Sequence, residues 1–346
     1  MSTDEEDGAP GWEAIEGALK RLYPEITPFH AAPPLPAIAG GEDPLDGVSA
    51  YRSQYGGTPH WHFITFGYSE LYQKETDDPA VSGFGFEMSL RLVDPEATDS
   101  PPAWAVSLLQ NLARYVFRTG NAFGQGHHTT LNGPIALGRQ TLLTAAAFCL
   151  DPELGRIETP NGAVEVLQLV GLTGDEYGAT KDWDTRKFLA VVAEQDRALL
   201  TTLDRASWLD DPSVAARVKA GIAKDGSSME LFYSTKGSFE LSSGSILLGV
   251  AANGLDDLRR ILRGRLAFGK SGAMAWPSGG VELVPGPATA ATGDSTLCLE
   301  PQDIQAILEI PVRRGDYPLP SGRGSVRVLP VEIYDGARKK VLEVIG

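Results

Sequence analysis

The stretch Ser82–Val93, SGFGFEMSLRLV, sets the strongest constraint on the fold. Phe84, Phe86, Met88, Leu90 and Leu92 take every second position, with Gly85, Glu87, Ser89 and Arg91 between them. Neighbouring side chains on a strand point to opposite faces, so the pattern predicts a strand of the main sheet. One face is apolar and packs on helices; the other is polar. Gly83 and Gly85 leave room for a neighbouring backbone or a large ring.

The segments around this strand complete an α+β pattern. Gly11–Leu22 carries Trp12, Ile15, Leu19 and Leu22 at helical spacing. Pro28–Gly41 is too proline-rich for a helix. The residues 59–67, PHWHFITFG, read as a strand, and the loop that follows lets it pair antiparallel with 82–93. Ser100-Pro101-Pro102 opens a helix, with Ser100 as cap. Its stripe of Trp104, Leu108, Leu112 and Val116, widened by Leu109 and Tyr115, lies across the sheet, and Gly120 ends it. Asn121–Thr130 is a turn entering a strand. Gln140–Leu150 suits a strand or a buried helix. Ala163–Leu172 reads as a buried strand. Thr180–Glu194 and a segment from Asp211-Pro212 to Asp225-Gly226 read as helices. Beyond these, strands are expected at 245–251, 264–268, 272–276, 280–283 and 325–334, and helices at 255–262 and 300–309. Pro330 pushes the last strand to an edge or a bulge.

At 346 residues the chain can bury two cores. The expected division is a disordered acidic tract over 1–10, a domain over 11–205, a linker helix over 206–228 and a smaller α/β domain over 229–346. No apolar run reaches the roughly 20 residues that a membrane helix needs. The N-terminal residues lack a basic-then-apolar leader pattern, so a cytoplasmic location is expected. The cysteines are Cys149 and Cys298, both in apolar runs, which predicts buried thiols rather than a disulfide or a metal site.

Charge is unevenly spread. The net charge is −15. Up to Ser228, 17 Lys and Arg stand against 32 Asp and Glu; from Met229 onward the two counts are 13 and 13. Such a balance disfavours nucleic acid and is compatible with a basic protein or peptide partner.

The histidines are the first candidates for chemistry. His60 and His62 share one strand face, and His127-His128 adds two more. Zinc needs three or four converging ligands, and adjacent strand residues face opposite ways. Ordinary packing is the expectation, with no metal and no cofactor. Asp182 and Asp184 flank Trp183 as a carboxylate pair would, but acidic residues at a helix start account for them more simply. A Gly-x-Ser-x-Gly elbow and a phosphate loop are both missing. The sequence therefore points to a binding protein rather than an enzyme, with no catalytic residue assigned.

Five segments together resemble the Suppressor of fused family: GGEDPLDGVSAYR (40–52), HWHFITFGYSELY (60–72), SGFGFEMSLRL (82–92), PPAWAVSLLQNLARYVF (101–117) and TPNGAVEVLQLVGL (159–172). The later part is similar through LRGRLAFGKSGAMAW (262–276) and the helix at 300–309. The resemblance implies two α/β lobes, each a mixed or antiparallel sheet packed with helices, that grip an extended peptide added as a strand between them. In animals that peptide belongs to Gli-type transcription factors of Hedgehog signalling. The family's peptide-engaging Tyr matches Tyr115. Its acidic partner position falls at His127, a departure from the pattern. The expected partner-binding residues are Tyr115, His127, His128 and Thr129, on and before the exposed-edge strand that follows Phe123. The compact linker and the Ala/Gly/Leu-rich composition resemble bacterial members, some of which are thought to be immunity proteins. Neutralising a basic toxin is therefore the alternative expectation.

Overall fold

The computed structural model describes residues 8–96, 98–242, 244–334 and 341–346. The chain divides into two compact α+β units. The first runs to Thr180 and resumes over Thr185–Ala215; the second comprises Lys181–Asp184 and Ala216–Gly346. The first seven residues of the acidic tract expected to be disordered lie outside the described residues.

Unit 1 is built on an eight-stranded mixed sheet. Its elements in chain order are α1 (Pro10–Leu22), β1 (Phe29–Ala31), β2 (Gly47–Tyr55), β3 (Thr58–Phe66), β4 (Val81–Val93), α2 (Ala103–Thr119), β5 (His128–Thr130), β6 (Leu143–Leu150), β7 (Arg156–Thr159), β8 (Gly162–Thr173), α3 (Gly174–Asp182) and α4 (Thr185–Val192). The strand order is β1-β2-β3-β4-β8-β6-β5, and β7 pairs with β8 off this path. β3 and β4 pair antiparallel, Trp61 opposite Leu92. β4 and β8 pair parallel, which makes the sheet mixed. The register between them shifts between Val81 and Phe86, where Gly83 and Gly85 take positive φ. A Cβ on Gly83 would stand 2.6 Å from the Tyr68 carbonyl oxygen, so a backbone does use that space.

Both faces of β4 are covered. Phe86, Met88, Leu90 and Leu92 pack on one side against Ala105, Leu109, Leu112, Ala113 and Val116 of α2. α1 covers the opposite face with Ile15, Ala18 and Leu19, against Ile64, Phe66 and Val166. The polar side chains of β4 are therefore buried, not solvated: Glu87, Ser89 and Arg91 have no exposed surface. Alternation looks the same whether the second face meets water or a second layer.

What satisfies these groups is a hydrogen-bonded network. Asp151 accepts from His62 Nε2 at 3.1 Å, Ser89 Oγ at 2.9 Å and Arg91 Nη2 at 3.0 Å. Burial opposes ionisation of Asp151, but the bonds from His62 and the Arg91 guanidinium outweigh it, and the carboxyl lies well below its usual range. Burial lowers His62, which stays neutral, gives Nε2–H to Asp151 and accepts from the Tyr23 hydroxyl at Nδ1, 2.7 Å away. Burial likewise lowers His60 to about 4.

α5 (Pro212–Asp225) spans the point where the units divide. Unit 2 continues with β9 (Leu231–Tyr233), β10 (Gly237–Ser242), β11 (Ser245–Ala251), α6 (Leu255–Gly264), β12 (Gly272–Trp276), β13 (Gly279–Pro285), β14 (Ala290–Thr292), β15 (Thr296–Leu299), α7 (Pro301–Leu308), β16 (Gly315–Pro318), β17 (Gly324–Leu329), β18 (Val331–Tyr334) and β19 (Val341–Ile345). They form a four-stranded sheet, β10-β11-β17-β16, a five-stranded sheet, β14-β15-β13-β12-β9, and the ribbon β18-β19. Leu255, Leu258, Ile261 and Leu262 of α6 share a core with Leu248, Val250, Leu283 and Val328.

Several local expectations change. The 180–194 helix is two helices, broken at Trp183-Asp184. Trp183 Nε1 donates to Asp225 Oδ2, and Arg260 Nε donates to Asp182 Oδ1 at 2.9 Å, so Asp182 closes α3 as an ion-pair partner rather than opening a helix. Residues 264–268 are the end of α6 and a short 3₁₀ turn, not a strand. The 325–334 strand is two, because Pro330 separates β17 from β18 and sends them to different sheets. Ser100 does not cap α2, whose N-cap residue is Pro102. Both cysteines are free thiols and half-buried rather than fully buried.

Candidate functional site

α2 has two working faces. Ala105, Leu109, Ala113 and Val116 turn into the core. Trp104, Ser107, Leu108, Asn111 and Tyr115 line a groove of about 560 Å³ on its flank. Trp104 and Leu108, expected to fill the core, are only half-buried at its margin. The signal in the sequence is Ser107, Asn111 and Tyr115 at four-residue spacing, a polar-to-aromatic stripe beside the aliphatic one.

The opposite wall is the chain that runs through and past β5. It contributes Phe123, Thr129, Thr130, Leu131, Ile135 and Leu137. Gly120 makes this return possible: it ends α2 with φ +73°, and its amide bonds to the Val116 carbonyl at 2.8 Å. Phe123 then stacks on Phe148, centroids 4.3 Å apart, and lies 5.8 Å from Tyr115. Asn121 Nδ2 donates to the Tyr115 hydroxyl at 3.3 Å. Tyr115 stays 45 % exposed and Leu137 78 % exposed, so large apolar surface borders the groove. Among the described residues, no charged one lines it.

β5 is a terminal strand of the sheet and pairs with β6 alone among the described residues. The bonds alternate as an antiparallel ladder requires. Phe148 N donates to the His127 carbonyl and Leu131 N to the Thr144 carbonyl, both at 2.9 Å. In this register His128 and Thr130 direct their main-chain groups away from β6.

Of the four residues expected to bind a partner, the groove brings together Tyr115 and Thr129. His127 is exposed at the entry to β5, and its amide bonds back to Gly124. His128 turns to the other face of the strand. Its Nδ1 lies 2.9 Å from Thr185 Oγ1, and its ring stands edge-on to Tyr177. His62 belongs to the network beneath α1, whereas His60 on the same strand face meets only the Thr58 carbonyl through Nδ1, 3.3 Å away, among the described residues. Among the described residues, no group of three or more His, Cys, Asp or Glu could hold a metal ion. No helix among them is long and apolar enough to cross a membrane.

The class these features define is a two-unit α+β protein whose first unit ends its sheet in a short terminal strand beside an uncharged groove. Comparison with known proteins gives the family. The model of the Suppressor of fused protein (SUFU) family matches residues 41–206, a segment that contains the whole groove, and together with a Sufu chain 31% identical and covered over 98% of its length it places the chain in that family. The Suppressor of fused homologs of Homo sapiens and Mus musculus are each 35% identical over 239 residues, covering 63% of this chain and 48% of theirs. The chain thus spans about half the length of the curated relatives it matches. The crystal structure of Drosophila Suppressor of Fused shares the fold, with a TM-score of 0.77 at 21% identity over 94% of this chain and 99% of that one. A chain of the Sufu-Fu complex crystal structure matches 61% of this chain and 98% of its own length, with a TM-score of 0.57 and 31% identity.

Proposed function

We propose that this chain is a non-enzymatic regulatory protein that holds an extended segment of a partner protein on unit 1. The segment adds to β5 as a further strand and places a side chain in the adjoining groove. Main-chain bonds along an open edge supply affinity, and the pocket beside it supplies selectivity. Tyr115 and Thr129 contact the segment from the groove; His127 and His128 flank its path.

The observation that carries this reading is the coincidence of two features. The terminal strand of the sheet, with the Thr130 amide directed away from β6, adjoins an uncharged groove bordered by exposed aromatic and aliphatic side chains. Either alone is common on protein surfaces; side by side they match what an extended peptide presents. A family relative crystallised as a Sufu-Fu complex supports a protein partner. The negative charge up to Ser228 suits a basic protein surface better than nucleic acid. Masking a basic toxin, the rival expectation, would use that charge without needing the open edge, so the edge favours the first reading.

The test places a photo-crosslinking side chain at Leu137 and pairs it with Thr130→Pro, which removes an amide directed away from β6. The expected result is a crosslink to one protein in extracts of the native source, lost in the proline variant. A crosslink that survives Thr130→Pro, or a small molecule copurifying in place of a protein, overturns the reading.

A further inference from the structure

Trp104 is a wall shared by two cavities. One is the groove already described. The other, of about 330 Å³, is lined in part by Trp61, Asp94, Glu96, Arg139 and Asp204. The chemistry changes across the Trp104 indole. The groove has no charged lining residue, whereas the second cavity has three carboxylates and a single guanidinium.

Asp94 is committed to the wall. Its Oδ2 accepts from Trp61 Nε1 at 3.0 Å, Thr98 N at 2.7 Å and Thr98 Oγ1 at 2.9 Å. These bonds hold the Trp61 indole in place. The ring already attracts one cation, because the Arg52 guanidinium lies 4.7 Å from its centroid. Glu96 and Asp204 are exposed and stand at the rim. The carboxylates do not converge as metal ligands do. An acidic chain is disfavoured by the excess negative charge. The remaining occupant is a cation on an apolar stem: methylenes lie along Leu92, Leu203 and Trp104, and the head reaches the rim carboxylates.

We propose that this second cavity takes a lysine or arginine side chain of the same partner segment that fills the groove. The partner motif then pairs an apolar residue with a basic one at a fixed spacing, on either side of Trp104. The inference rests on the strand-addition reading above and names the chemistry of what is bound.

The probe is a displayed library of short random peptides, selected on the full chain and counter-selected on the Thr130→Pro variant. The expected peptides carry Lys or Arg at a constant offset from an aromatic or aliphatic residue. The double variant Glu96→Lys/Asp204→Lys should weaken such a peptide about tenfold or more. The same variant should recover binding when the peptide's basic residue is changed to Glu, which also shows that the variant is folded. Peptides that depend on Thr130 but carry no basic position, or that ignore the charge reversal, overturn this inference and leave strand addition standing. If no selected peptide depends on Thr130, strand addition fails, and this inference with it.

Discussion

Glu87 and Asp151 are both buried carboxylates in unit 1, yet their environments push them in opposite directions. Glu87 accepts from Thr65 Oγ1, Gly67 N, Ser69 N and Ser69 Oγ, all uncharged donors. Burial outweighs them and pushes its pKa up to about 7 from 4.5. The folded state then binds this proton more tightly than the unfolded chain does. The stabilisation is complete below about pH 4.5 and is lost as pH rises through about 7. Glu87→Gln should remove that slope. Urea midpoints taken from pH 4.5 to 8 should fall for the native chain relative to the variant by an amount worth about 2–3 kcal/mol. Parallel curves would contradict the assignment. Asp151 differs because a full positive charge faces it. Asp151→Asn leaves Arg91 in the interior with only Glu153, 2.6 Å away and partly exposed, to balance it. Losing one partner of a buried pair costs about 3–5 kcal/mol, and the remaining Glu153 places this loss at about 3. Equilibrium unfolding at neutral pH reads it directly.

The helix α2 joins stability and recognition on one element, and its two faces should respond separately. Leu109 has no exposed surface and lies against β4. Leu109→Ala should cost about 2–5 kcal/mol by the cavity it leaves. Tyr115, on the groove flank, should behave otherwise. Tyr115→Ala is expected to change stability by only about 0.5 kcal/mol and to weaken a Thr130-dependent peptide about tenfold. Thermal melts and titrations of the two variants give four values, and only this pattern supports a division of labour along the helix. The existence of α2, β4 and α6 was legible in the sequence because apolar residues recur in each at the period of its element, and β3 and β8 were legible as short aromatic or β-branched runs. What the second face of β4 meets was not legible, since Glu87, Ser89 and Arg91 read only as a polar face, and the pattern does not record that α1 covers it. The groove was half-legible: Tyr115 and Thr129 came from a family pattern, whereas Trp104 and Leu108 were hidden in a stripe that also reads as core. The break at Trp183-Asp184 depends on which partner each side finds, and local spacing carries no record of that; Pro330 marked a disruption, but not that its two sides join different sheets.

Across the whole molecule, charge and binding chemistry are separated. All of the net −15 lies before Met229, yet the groove has no charged wall and the carboxylates sit beyond Trp104. An apolar side chain entering the groove gains little from the distant field once it is seated. A basic residue on the same peptide is drawn by that field during approach, and the force is screened beyond roughly 10 Å at 0.1 M salt. Ionic strength should therefore separate the two contributions kinetically. For a peptide carrying both an apolar and a basic residue, raising salt from 50 to 500 mM should slow association by about tenfold and change dissociation far less. A peptide with its basic residue replaced by Gln should bind more weakly at low salt, and its association rate should barely respond to salt. Surface-plasmon-resonance traces on the full chain measure both rates. Equal salt dependence of the two peptides would show that the acidic half of the sequence serves solubility alone and has no part in choosing the partner.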